Sequence, residues 1–107
     1  METIIKYDFE NAEKIYKELL ELFNDSLDEF IWTANEEIVF EDEPDGEIYL
    51  EDGGIININA GFNSDYHFGT NNKYFTVEVV ESSELIEDNI SNIEDIISKY
   101  PEWEFVY

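Results

Sequence analysis

The spacing of apolar residues changes twice along this chain, from a helical repeat to a two-residue repeat and back, and that switch limits the folds open to it. Residues 9 to 23 place Phe9, Ala12, Ile15, Tyr16, Leu19, Leu20 and Phe23 three or four apart, which predicts a helix with one buried face. Asp8 is positioned to cap it, Glu10 and Glu13 suit the positive end of its dipole, and the polar residues 24 to 26 supply a stop. The next stretch carries two signals. Ser26 and Glu29 match a capping box, whereas Phe30 and Trp32 alternate as in a strand, and the balance tips towards the strand.

From Glu37 the period is two, through four short segments separated by turn residues. Residues 37 to 42 lead into Pro44-Asp45-Gly46, residues 47 to 52 into Gly53-Gly54, residues 55 to 60 into a polar loop, and residues 73 to 81 close the set. The expected core face is Ile38, Phe40, Ile48, Leu50, Ile56, Ile58, Phe75, Val77 and Val79. Residues 84 to 100 return to helical spacing through Leu85, Ile86, Ile90, Ile93, Ile96, Ile97 and Tyr100, introduced by Ser82 or Ser83 and stopped by Pro101. Residues 102 to 107 alternate again, which allows a final edge strand. The expected architecture is a single α+β domain over residues 1–107: an N-terminal helix, a four- to five-stranded antiparallel meander, and a C-terminal helix, with both helices on one sheet face.

Charge decides which partners such a fold can have. The chain holds 28 Asp and Glu against five Lys and no Arg, a formal net charge of −23 over 107 residues. Self-repulsion on that scale opposes compaction. A hydrophobic content of 43 % and 17 aromatic residues nevertheless set it apart from acidic disordered tails and supply a core. With Lys6, Lys14, Lys17, Lys73 and Lys99 as its only cations, it cannot neutralise a run of phosphates or dock on anionic lipid, so neither nucleic acid nor membrane is expected as a direct ligand. Cysteine is absent, which excludes disulfides, thiol catalysis and thiolate-held metals. Residues 1 to 9 lack a signal-peptide pattern and no apolar run suffices to cross a bilayer, so the expected location is the cytosol.

If Ile38, Phe40, Ile48 and Leu50 face the core, then Glu37, Glu41, Glu47, Tyr49, Glu51, Tyr74 and Glu78 share the opposite face. Residues two apart on a strand lie about 6.8 Å from one another, similar to the spacing of successive phosphates, so a row of glutamates could stand where phosphates stand. Asp42, Glu43, Asp45 and Asp52 in the turns and Asp65 in the polar loop extend the negative field. These twelve residues form the candidate surface for a cationic protein, with no cofactor and no metal. Tyr49, Tyr66, Phe68, Tyr74 and Trp103 are the aromatic residues that could anchor such a contact or fill the core instead.

The small size, the missing arginine, and acidic turns such as Glu41-Asp42-Glu43-Pro44-Asp45-Gly46-Glu47 and Glu51-Asp52 resemble the DNA-mimic inhibitors carried by phages and mobile elements: anti-CRISPR, anti-restriction and uracil-DNA glycosylase inhibitor proteins. That class shares a strategy rather than a motif, so the resemblance assigns no residue. It implies an inhibitor that denies a nuclease or glycosylase its nucleic acid by filling the groove that binds it. Immunity proteins of nuclease toxins are similar in charge and size.

Calcium binding and catalysis are the two other functions open to such residues. Glu41, Glu43, Asp45, Gly46, Glu47 and Asp52 fall at positions 1, 3, 5, 6, 7 and 12 of an EF-hand-like calcium loop, but Pro44 sits inside it and Asp52 replaces the long bidentate glutamate. For catalysis, His67 is the one histidine, and neither a nucleophile elbow nor a glycine-rich phosphate loop is present. No enzyme activity is expected.

Overall fold

In the computed structural model, which describes residues 5–32, 45–65 and 70–107, six strands make one mixed sheet with its helices packed on the core side. The strands are β1 (Ile5–Tyr7), β2 (Leu27–Trp32), β3 (Gly46–Leu50), β4 (Ile55–Asp65), β5 (Thr70–Glu81) and β6 (Glu104–Val106). The helices are α1 (Phe9–Leu22), α2 (Glu84–Asp88) and α3 (Ile90–Ile97). The sheet order is β2-β3-β4-β5-β6, and β1 pairs with the far part of β4.

The two-residue repeat does what its spacing requires. Ile48, Leu50, Ile56, Ile58, Phe75 and Val77 are buried against Ala12, Ile15, Tyr16, Leu19 and Phe23 of the first helical segment and Ile86, Ile93 and Ile97 of the last. Val79 is half-buried at the margin of the same cluster. Helix α1 begins at Asp8, whose carboxylate accepts the Asn11 N–H at 3.3 Å. Leu27–Trp32 is a strand antiparallel to β3, and the backbone of Asn24–Ser26 forms one turn of 3₁₀ helix before it.

β4 and β5 run on through residues 61–65 and 70–72, where a polar loop holding Asp65 was expected, because the two strands stay paired from Gly61–Tyr74 to Asp65–Thr70. Three further features depart from the expected meander. A short strand precedes α1: Ile5–Tyr7 pairs with Gly61–Asn63, and the Asp8 N–H extends that ladder to the Ala60 carbonyl at 2.9 Å. The C-terminal helix is two helices, because Asn89 ends the first by donating its side-chain amide to the Leu85 carbonyl at 2.8 Å, a local bond that competes with helix continuation. The last strand, β6, runs parallel to β5, so the sheet is mixed rather than all antiparallel; the α2–α3 crossover supplies the long connection that parallel pairing needs. The strand expected at residues 37 to 42, with Ile38 and Phe40, lies outside the described residues.

Long-range polar contacts fasten the ends. The Trp103 indole, 5 % exposed, donates to Asp8 Oδ2 at 2.9 Å, so one carboxylate caps α1 and holds the segment leading into β6. Glu18 on α1 receives the Lys99 ammonium and, at 2.9 Å, the Tyr100 hydroxyl, joining α1 to the end of α3. No described helix is long and apolar enough to cross a membrane.

Candidate functional site

The face of the sheet opposite the core is built by strand alternation. Register places Ile31, Glu47, Asn57, Glu78 and Val106 in one row across the strands from β2 to β6. Glu29 stands opposite Tyr49 in a second row, and Asn59, Thr76 and Glu104 form a third. Glu47 and Glu78 are therefore two strand spacings apart, about 9.6 Å. Their separator, Asn57, is half-buried, with an Oδ1 that has no hydrogen-bond partner.

Among the described residues this face carries the carboxylates of Glu29, Glu47, Glu78 and Glu104 and is electrostatically negative. The Tyr49 hydroxyl donates to Glu47 Oε1 at 3.0 Å. That bond, followed by desolvation and the charges of Glu47 and Glu29, pushes the phenol above its ordinary value. Lys14 and Lys17 pair with Glu10 and Glu13 along α1, and Lys99 pairs with Glu18, so none of the described lysine side chains neutralises the sheet face.

The twelve sequence-predicted residues divide sharply. Glu47, Tyr49 and Glu78 do share the open face. Asp52 sits in the β3–β4 turn as expected, but Glu51 lies there too rather than on a strand; the turn is closed by Leu50 N–H to the Gly54 carbonyl at 2.8 Å. A row of glutamates along β3 is therefore replaced by carboxylates spread across strands. Asp65 and Tyr74 have described backbone positions, opposite Thr70 and Gly61. Glu37, Glu41, Asp42 and Glu43 lie outside the described residues, as do Tyr66, His67 and Phe68.

Two of the twelve have work inside the fold. The Asp45 N–H donates to the Ile58 carbonyl at 2.8 Å and its carboxylate accepts the Ala60 N–H at 2.7 Å. Because the Ala60 carbonyl is taken by Asp8, Asp45 bridges the gap between β3 and β1 along one edge of β4. Burial pushes its carboxyl above the usual range, although the backbone bond from Ala60 pulls the other way. Asp52 accepts the Leu85 N–H at 3.0 Å and the Gly54 N–H at 3.2 Å, tying the β3–β4 turn to the start of α2. The Leu85 bond is the main reason its carboxyl titrates below the ordinary value.

Two acids on the open face escaped the sequence reading, Glu29 and Glu104. The first lies in the segment with competing helix and strand signals. The second depends on a parallel pairing that no local pattern announces. Trp103 belongs to the core, beside Phe75 at a centroid distance of 5.8 Å.

The calcium alternative meets a geometric obstacle. Gly46–Leu50 is an extended strand paired on both sides, so the second half of the twelve-residue segment does not curl around a point. Among the described residues no group of three or more acidic or histidine side chains converges as metal ligands would.

No family model, curated protein or solved structure matches the chain.

Proposed function

We propose that this chain is an acidic inhibitor protein, a nucleic-acid mimic that covers the cationic nucleic-acid-binding surface of a nuclease or another nucleic-acid enzyme in the cytosol. The observation that carries this reading is the open sheet face. Glu29, Glu47, Glu78 and Glu104 stand on a two-dimensional grid set by strand spacing, without a described lysine among them. A preorganised array of this kind steers towards a groove lined with Lys and Arg over long range, and the attraction weakens as salt screens it. Tyr49, held by Glu47 within the array, is an aromatic that can add contact area to a charge pattern that alone gives little specificity.

The test is charge reversal on the face, away from the acids that support the fold. Glu47→Lys with Glu78→Lys is expected to weaken capture of a basic partner by at least tenfold, on the order of the loss from disrupting interfacial charge pairs, while leaving the thermal midpoint unchanged or higher. Unaltered affinity with the fold intact would remove the proposal. Asp52 is unsuitable for this test, because losing its carboxylate also releases the turn from α2. Should the captured partner be a toxin nuclease, the same face would serve an immunity protein.

A further inference from the structure

Among the described residues strand β2 ends the sheet, and none of them pairs with its outward edge. Its composition is unusual for a protected edge. Phe30 stands opposite Ile48 on the core side, yet Phe30 is 54 % exposed whereas Ile48 is fully buried. Leu27 and Trp32, the other core-side residues of β2, are packed against the core, Trp32 beside the Tyr16 ring at a centroid distance of 4.7 Å, so Phe30 between them is left more than half exposed. Asp28 and Glu29, beside Phe30, are exposed carboxylates. The register irregularity lies between Leu27 and Glu29, which leaves Glu29–Trp32 in unbroken pairing with β3.

We infer that β2 is a docking edge for an extended basic segment of the partner, one in which Lys or Arg alternates with apolar residues and which adds to the sheet as a further strand. Strand addition uses the free backbone groups of an edge for affinity and the alternating side chains for selection. The apolar residues of the added strand would cover Phe30, and its cations would face Glu29. A second copy of this chain is the wrong occupant: it would set Asp28 and Glu29 near their own counterparts and bring together two bodies of charge −23. Charges on an edge are a known guard against self-pairing, and here the guard has a sign that admits a cationic strand. This inference rests on the partner being a cationic protein, as proposed above.

A capped peptide of eight residues alternating Lys and Val is the probe, with a version N-methylated at every second residue as the control that keeps charge and removes backbone hydrogen bonds. The unmodified peptide is expected to bind the full chain about tenfold more tightly than the N-methylated one and to slow hydrogen exchange within Glu29–Trp32. Phe30→Ser, at an exposed position, should abolish most of that difference without moving the thermal midpoint. Equal binding of the two peptides, or no new protection in β2, would overturn the inference. So would β2 protection that grows with concentration of the chain alone, since that signals self-pairing. Salt-labile capture of a basic protein that leaves β2 unprotected would sink strand addition and spare the proposed function; the absence of any salt-labile basic partner would sink the latter.

Discussion

Replacing Asp8 by Ala removes the acceptor used by the Asn11 N–H, the Asn11 side-chain amide and the Trp103 indole, and the first and last of these set the expected size of the effect. The Asn11 N–H loses its cap, which costs about 1 kcal/mol in comparable helices. The Trp103 indole N–H, bound to Asp8 at 2.9 Å in a side chain only 5 % exposed, is left without its acceptor, a penalty of roughly 1–3 kcal/mol. The sum, about 2–4 kcal/mol, corresponds to a fall in thermal midpoint of roughly 10–25 °C for a domain of this size. A double-mutant cycle followed by chemical denaturation isolates the contact. Trp103→Phe deletes the donor, so in the double variant no buried N–H is orphaned. The pair should then destabilise by about 1–3 kcal/mol less than the sum of the single changes. Additivity within about 0.5 kcal/mol would refute the claim that this carboxylate fastens the β6 segment to the start of α1.

Other outcomes follow from the same contacts. Asp45 has a folded-state pKa raised above its ordinary value of 3.8, so the native chain binds more protons than the unfolded one just above that pH. Its contribution to stability is full below 3.8 and lost as pH rises through the folded value; Asp45→Asn should flatten that part of a denaturation profile. The Tyr100 phenol, pushed up to about 12 by burial and then by Glu18, should deprotonate late in an ultraviolet titration, and Glu18→Gln should advance it; an unchanged profile would contradict the Tyr100–Glu18 contact. Gly54→Ala would place a methyl group 2.8 Å from Ile86 Cδ1 and is expected to destabilise by roughly 1–3 kcal/mol in a melt, with no loss meaning that α2 yields readily. Asn57→Val removes an unpartnered buried acceptor from a strand centre and should stabilise by about 1 kcal/mol, and a loss instead would show that the amide is satisfied in solution.

The parts of the fold legible in the sequence are those that repeat. Seven strand residues of the expected core face, Ile48 to Val79, lie in or against the core because alternation over four or more positions fixes which side faces in. Asp8, and Ser83 as one of two adjacent candidates with Ser82, were readable as caps because the bonds such residues make are three residues long. Three-residue strands are too short to show a period, so Ile5–Tyr7 carried no signal, and the parallel direction of Glu104–Val106 follows from a crossover rather than from any local residue. The site was legible to the same degree. Glu47, Tyr49 and Glu78 were placed by alternation, whereas the internal roles of Asp45 and Asp52 arise from contacts 15 and 33 residues away in sequence, beyond any local pattern.

Salt should act in opposite directions on the two properties of this protein, strengthening the fold by screening its self-repulsion and weakening its hold on a cationic partner. The most direct measurement of the central claim is a competition titration. A basic nucleic-acid-binding partner is loaded with a labelled duplex, this chain is added, and release is followed from dilute buffer to molar sodium chloride. The account predicts mutually exclusive binding, displacement that fades as salt rises, and weaker displacement by the Glu47→Lys, Glu78→Lys variant. A stable ternary complex, or displacement indifferent to salt and to both substitutions, would contradict it.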